Sequence, residues 1–148
     1  MEGAGIPFPQ PARSAMGRTT ARGEQRVLII DDDEAIRQLL VDLLTESGYQ
    51  TDEARNGREG LERARQRPPD VILLDQLMPG ADGTSFAAAY ARTPPPRAPI
   101  IALCASRDGA EWASSIGAAA LVTKPFDIDD LLAAIASVPA AGAGEAST

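Results

Sequence analysis

Asp31, Asp32 and Asp33 stand in a row directly after the apolar run Val27–Ile30. Asp75 follows a second apolar run, Val71–Leu74, while Cys104 follows Ile100–Leu103 and Lys124 follows Ala120–Thr123. Carboxylates brought together repel unless they share a cation. Hard oxygen ligands with room for water suit Mg2+ better than a soft metal. The ammonium of Lys124 then offers a second positive charge to any anion that joins the metal. Such a set equips a site for phosphoryl transfer, which needs positioning and charge neutralisation and little else. A plainer reading stays open at this point: Asp31 and Asp32 as an acidic cap of the helix that follows. The chain contains no His, which removes Ser-His-Asp triads, His-metal sites and any role as a phosphohistidine carrier. Lys124 is the only lysine against thirteen arginines, so it marks a place where a compact point charge is wanted instead of a wide guanidinium fork.

These side chains need a scaffold that brings strand ends together. Val27–Ile30 reads as a short buried strand, and Glu34–Ser47 as a helix with Ile36, Leu39, Leu40, Leu43 and Leu44 at helical spacing, closed by Gly48. Tyr49–Ala54 reads as a strand, and Asn56-Gly57 opens a short helix with Leu61 and Ala64 inward, broken by Pro68-Pro69. Val71–Leu74 is the next strand, and a loop from Gln76 to Gly83 leads to an Ala-rich helix that stops before "TPPPRAP". Ile100–Leu103, a helix over Arg107–Ile116, the strand Ala120–Thr123 and a helix over Ile128–Val138 with Leu131, Leu132 and Ile135 inward complete the alternation. Five strand–helix units with near-continuous apolar strands predict a parallel sheet covered on both faces, a doubly wound α/β sandwich. Its functional crevice lies outside the carboxyl ends of the strands. Every group singled out above sits on that rim.

The 148 residues are expected to form one domain. Residues 1–25, rich in Gly, Pro, Ala, Thr and Arg, are expected to be a disordered leader, with Met16 a candidate start; the domain covers 26–138, and 139–148 form a flexible tail. A net charge of −7 argues against direct nucleic-acid binding. No apolar run approaches membrane-spanning length, so no membrane partner is expected. One cysteine makes no internal disulfide and fits a cytoplasmic location.

In order and spacing, "VLIIDDDEAIR", "VILLDQLMPGADG" and "LVTKPF" resemble the receiver domain of two-component response regulators. The pattern D-x-x-M-P-x-x-D-G is met by Asp75, Met78, Pro79, Asp82 and Gly83, and the likeness spans residues 27 to 138. It implies a flavodoxin-like, doubly wound (βα)5 three-layer sandwich with the parallel sheet in the order 2-1-3-4-5. It also implies that Asp75 accepts a phosphoryl group, that Asp31, Asp32, Asp75 and the Leu77 backbone carbonyl hold Mg2+, and that Lys124 contacts the phosphoryl oxygens through a chain whose next bond, to Pro125, is cis. The implied partners are a sensor histidine kinase or a histidine phosphotransfer protein, together with an effector protein or a second copy of the chain. Bacterial phosphorelay signalling is the implied function, with no enzyme activity beyond the domain's own phosphorylation and dephosphorylation. Asp33 and Glu34 are expected to begin the first helix, where carboxylates favour the positive end of its dipole. Asp82-Gly83 is expected to be a turn and cap.

Two positions depart from the family. Cys104 stands where relatives carry a Thr or Ser whose hydroxyl bonds the phosphoryl oxygen, and a thiol is a weak donor. Leu121 replaces the aromatic residue that moves with that hydroxyl, and the Cys104–Lys124 stretch is shorter than in relatives. The chemistry is therefore expected to be intact and the usual relay altered. Cys104 is either a small buried hydrophobe or a redox sensor. Trp112 is either a core anchor or a partner contact, and "TPPPRAP" a stiff surface loop rather than a ligand for an SH3-like groove. Two further functional readings are a degenerate receiver acting without phosphate and a haloacid-dehalogenase-type enzyme with Asp31 as nucleophile. The latter requires a late acidic metal pair, for which only Asp129-Asp130 is available.

Overall fold

The computed structural model describes residues 25–76, 83–105 and 109–139. The expected leader up to residue 24, the carbonyl of Leu77, the motif residues Met78, Pro79 and Asp82, the first two residues of the Arg107 helix and the tail from 140 lie outside them.

Strands and helices alternate along the chain. They are β1 (Arg26–Ile30), α1 (Glu34–Glu46), β2 (Gln50–Ala54), α2 (Gly57–Gln66), β3 (Val71–Asp75), α3 (Gly83–Tyr90), β4 (Ile100–Cys104), α4 (Gly109–Ser115), β5 (Ala120–Thr123) and α5 (Ile128–Ser137). All neighbouring strands pair in parallel, in the order β2-β1-β3-β4-β5. This is the 2-1-3-4-5 sheet of a flavodoxin-like sandwich.

The strands read as unbroken apolar runs because both faces are covered. Val27, Ile29, Leu73, Ile101, Leu103 and Val122 face one way, onto Leu40 and Leu44 of α1 and Leu131 and Ile135 of α5. Leu28, Ile30, Ile72 and Leu74 face the other, onto Ala64, Phe86 and Tyr90 of α2 and α3. Period-two alternation thus splits each strand between two cores. Ala102, Cys104 and Ala113 form a smaller cluster where α4 crosses the sheet, with Trp112 against it.

Helix starts follow local chemistry. Asp33 caps α1 by accepting the N–H groups of Ala35 at 2.9 Å and Ile36 at 3.1 Å. Asn56 caps α2 through the Glu59 N–H at 2.9 Å, and the Glu59 carboxylate returns to the Arg55 N–H at 2.9 Å. Bonds from the Arg55 guanidinium and backbone hold Glu59 down to about 2. At the end of α1 the cap residue is Ser47, and Gly48 follows it with φ 99°, the left-handed turn that favours glycine.

Helix α1 also departs from the expected face. Leu39 is 49% exposed although its spacing fits the apolar stripe, whereas Arg37 is only 9% exposed. Leu40 and Leu44 already fill the space above β1, and the rotation this fixes turns Leu39 outward and Arg37 under the first strand end. Leu73, at the centre of the sheet and fully buried, and Leu39 therefore make a matched pair. Leu73→Ala is expected to cost about 2–5 kcal/mol. Leu39→Ala should stay within about 0.5 kcal/mol. Urea unfolding midpoints of the two variants check this.

Candidate functional site

The carboxyl ends of β1, β3 and β5 lie on one rim of the sheet, β1 beside β3 and β4 between β3 and β5, and the groups that follow them converge there. One carboxylate oxygen from each of Asp31, Asp32 and Asp75 lies within 4.8 Å of the others. Lys124 Nζ donates to Asp75 Oδ1 at 2.9 Å and to Asp31 Oδ2 at 3.3 Å. Asp31 and Asp75 are buried and Asp32 is exposed. Four residues singled out in the sequence thus share one pocket, with a buried end and an open end.

Each is held by its strand. The Asp31 N–H donates to the Ala54 carbonyl at 3.1 Å, continuing the β1–β2 ladder, and its Oδ1 accepts the Asp33 N–H at 2.9 Å. The Gln76 N–H donates to the Leu103 carbonyl at 3.0 Å and the Lys124 N–H to the Cys104 carbonyl at 2.7 Å. Ladder hydrogen bonds therefore run past the strand ends on both sides of β4. The Lys124–Pro125 bond is cis, as the family resemblance implied. Gly83 is fixed by crowding: a Cβ there would lie 2.8 Å from the Asp75 carbonyl oxygen and 2.6 Å from the Trp112 ring. Only glycine lets α3 start so close to the strand end.

Charge and burial oppose one another in the pocket. Burial pushes the Asp75 carboxyl up, and the charges of Asp31 and Asp32 add to this; the bond from Lys124 offsets it only in part. Burial also works against the ammonium of Lys124, but the Asp75 and Asp31 carboxylates outweigh it and raise its pKa. The site therefore holds a cation at every ordinary pH and still carries an excess of negative charge. The carboxylates fit a divalent ion. Octahedral Mg2+ with oxygens at about 2.1 Å spaces its ligand atoms about 3–4.2 Å apart, close to the separation present.

Arg37 is a site residue that sequence reading missed. Its Nη1 donates to the Asp31 carbonyl at 2.9 Å and its Nε to Glu53 Oε1 at 2.8 Å. The guanidinium so clamps the β1 end to β2 from below. The only sequence signal was a charged residue between Ile36 and Leu40, on the inward side of an amphipathic helix.

The departures from the family pattern have definite surroundings. Cys104 is buried, with its thiol 3.9 Å from the Gly109 carbonyl. A Cβ on Gly109 would come within 2.7 Å of Cys104 Cβ, so α4 begins hard against the end of β4. Burial, and then the Asp75 charge, push the Cys104 thiol up. A protonated, buried thiol behaves as a small hydrophobe and not as a redox sensor. Leu121 is 37% exposed. Trp112 of α4 is half-buried: its Nε1 donates to Thr84 Oγ1 at 2.8 Å and its ring packs against the core and the Gly83 backbone. Asp129 and Asp130 are exposed at the start of α5 and do not join the acidic group, which removes the dehalogenase-type reading.

Two predictions follow from this geometry. The folded chain holds the Asp75 proton more tightly than the unfolded chain does. The stability contributed by this group is thus full below the ordinary Asp range and is lost as pH climbs through the raised value. Without metal, Asp75→Asn is expected to be more stable than the parent at neutral pH, with the gap closing below the ordinary Asp range; urea unfolding across pH measures it. Arg37→Ala leaves the buried Asp31 carbonyl without its donor and is expected to cost about 1–3 kcal/mol. The same variant should also weaken Mg2+ binding, measured by calorimetry.

Comparison with known proteins agrees with the pocket. The family profile described as response regulator receiver domain matches residues 27–136. The chain is 41% identical over 114 residues to the transcriptional regulatory protein PdtaR of Mycobacterium tuberculosis, covering 75% of this chain and 55% of that protein. It therefore spans about half the length of that relative. It is 33% identical to sporulation initiation phosphotransferase F of Bacillus subtilis, covering 75% of this chain and 90% of the relative. Among solved structures it resembles the Vibrio cholerae chemotaxis protein CheY4, with TM-score 0.67 and 32% identity over 77% of this chain and 98% of that one. Such domains interact with histidine kinases or phosphotransfer proteins, signal rather than act as enzymes, and typically bind Mg2+ at an acidic pocket. Among the described residues no helix is long and apolar enough to cross a membrane. With its sheet order, its rim of three aspartates and a lysine, and a profile match over most of its length, the chain belongs to the receiver-domain family of response regulators, the phosphorelay modules of two-component signalling.

Proposed function

We propose that Asp75 is the phosphoacceptor of this chain, taking its phosphoryl group from a phosphohistidine on a sensor kinase or phosphotransfer protein. The observation that carries this reading is the bond from Lys124 Nζ to Asp75 Oδ1 at 2.9 Å, beside the carboxylates of Asp31 and Asp32. In the transfer an Asp75 oxygen forms the new O–P bond as the N–P bond of the donor breaks, and the departing imidazole takes up a proton. Among the described residues Asp75 Oδ2 accepts no hydrogen bond, so one oxygen is free to attack while Oδ1 stays tied to the ammonium. Lys124 then neutralises charge on the transferred group. Asp31, Asp32 and Asp75, with the Leu77 carbonyl, would hold Mg2+, which when bound would offset the negative charge that gathers as donor and acceptor meet. The same arrangement serves small donors and lets water return Asp75 to a free carboxylate.

The reading extends to the relay. At the end of β4 Cys104 is a weak donor whose thiol lies against the Gly109 carbonyl, and Leu121 is partly exposed where relatives place an aromatic ring. Movement of α4 is then coupled to the pocket through the packing of Gly109 on Cys104 and of Trp112 on Gly83, in place of a hydroxyl and an aromatic ring. A degenerate receiver that works without phosphate is disfavoured by the complete set of Asp31, Asp32, Asp75 and Lys124. The output belongs to docking on an effector or a second copy of the chain, in the cytoplasm of a bacterium.

Intact mass after incubation with acetyl phosphate and Mg2+ tests the proposal. The parent chain is expected to gain one phosphoryl group, and Asp75→Asn none. No adduct from either acetyl phosphate or a phosphohistidine donor would overturn it. Cys104→Ser keeps the size of the side chain against Gly109 while restoring a hydroxyl. It is expected to enlarge the change in Trp112 fluorescence on addition of beryllofluoride and Mg2+; an unchanged response removes the weakened-relay reading.

A further inference from the structure

The opposite end of the sheet carries a second feature that phosphoryl chemistry does not use. A groove of about 500 Å3 runs between the last turns of α2 and α3, lined by Leu61, Ala64, Arg65, Pro68, Tyr90 and the prolines 94 to 96, among others. Its floor is apolar: Tyr90 belongs to the core packed on β1 and β3, and the half-buried Leu61 packs against that core. The Tyr90 hydroxyl is turned inward and accepts the Ala98 N–H at 2.8 Å, which fixes the proline loop against α3.

One arginine, Arg65, lines the groove, and the segments that flank it are basic. Residues 63–69 read "RARQRPP" and residues 88–99 read "AAYARTPPPRAP", together five arginines and no acid in a chain of net charge −7. Arg63 and Arg67 turn toward β2, bonding the Glu53 carbonyl and the Asp52 carboxylate. Arg97 braces the loop through the Thr93 carbonyl at 2.6 Å. Arg65 and Arg92 are exposed and have no ion-pair partner among the described residues. One exposed acid, Glu62 of α2, stands next to the lining residue Leu61, and Asp70 is taken by the Arg26 N–H at 2.8 Å. Arg65 thus lines the apolar cleft, and Arg92 stands next to the lining residue Thr93, both without an ion-pair partner among the described residues.

We infer that this groove docks an acidic segment of a partner protein, with an apolar side chain in the cleft and carboxylates on Arg65 and Arg92. Charge complementarity selects that occupant. A nucleic acid is disfavoured because the only aromatic ring of the lining, Tyr90, is buried and offers no stacking face, and because the chain as a whole is acidic. The groove precedes β3 and β4 while Asp75 and Cys104 end them, so a five-residue strand, about 16 Å, separates the two places. Docking here leaves Asp75 open to its phosphodonor.

The test pans a random dodecapeptide library on the full chain, then titrates the labelled consensus peptide. Recovered sequences are expected to place Asp or Glu beside a large apolar residue and to shift the amide resonances of Leu61, Ala64 and Thr93. The double variant Arg65→Glu/Arg92→Glu is expected to weaken binding about tenfold or more at low salt. Ala89→Phe, which fills the cleft without touching charge, should weaken it as well. Neutral or basic consensus sequences, shifts elsewhere, parent-like affinity in either variant, or no enrichment would each overturn the inference. So would a uridine oligonucleotide that binds at the same resonances more tightly than any peptide. Both variants are expected to take up phosphate from acetyl phosphate like the parent, so failure of the groove and failure of the phosphoacceptor are read separately.

Discussion

The lone ammonium of Lys124, shared between two buried carboxylates, sets the terms for everything around it. Asp31 and Asp75 are side chains that water would hold more cheaply than a protein interior does. One cation between them makes their burial tolerable and leaves the pocket short of positive charge. That shortfall is what lets the pocket take a divalent ion and then an anion. The rest of the fold is arranged to keep three strand ends in register so that this balance persists. The sheet supplies the register, Arg37 braces the β1 end, and the ladder continues from Cys104 to Lys124 on the far side.

Much of this was legible in the sequence. Acids and a lysine directly after apolar runs had to meet once the runs were parallel strands, and they do. Strand boundaries fell close to the expected ones because an abrupt change from apolar to charged residues leaves little freedom. What stayed hidden depended on rotation about helix axes. The stripe from Ile36 to Leu44 is wide enough to fit two orientations, and only packing on β1 decides that Leu39 is exposed and Arg37 buried. An inward arginine is also hard to read because its partners are a backbone carbonyl and Glu53, neither of which leaves a motif.

Trp112 shows the same limit. Its type allowed either an anchor or a contact for a partner, and its spacing favoured neither. The answer came from a residue far along the chain: glycine at position 83 leaves a hollow that the ring fills, and Thr84 meets the indole N–H. The motif glycine was legible as a turn, while its role as a seat for an aromatic ring was not.

That seat has a mechanical consequence. With no side chain at position 83, the indole of α4 ties the first turn of α3 to α4 beside the Asp75 carbonyl. A shift of α4 against the end of β3 must therefore break the indole–Thr84 bond or repack the ring on the Gly83 backbone.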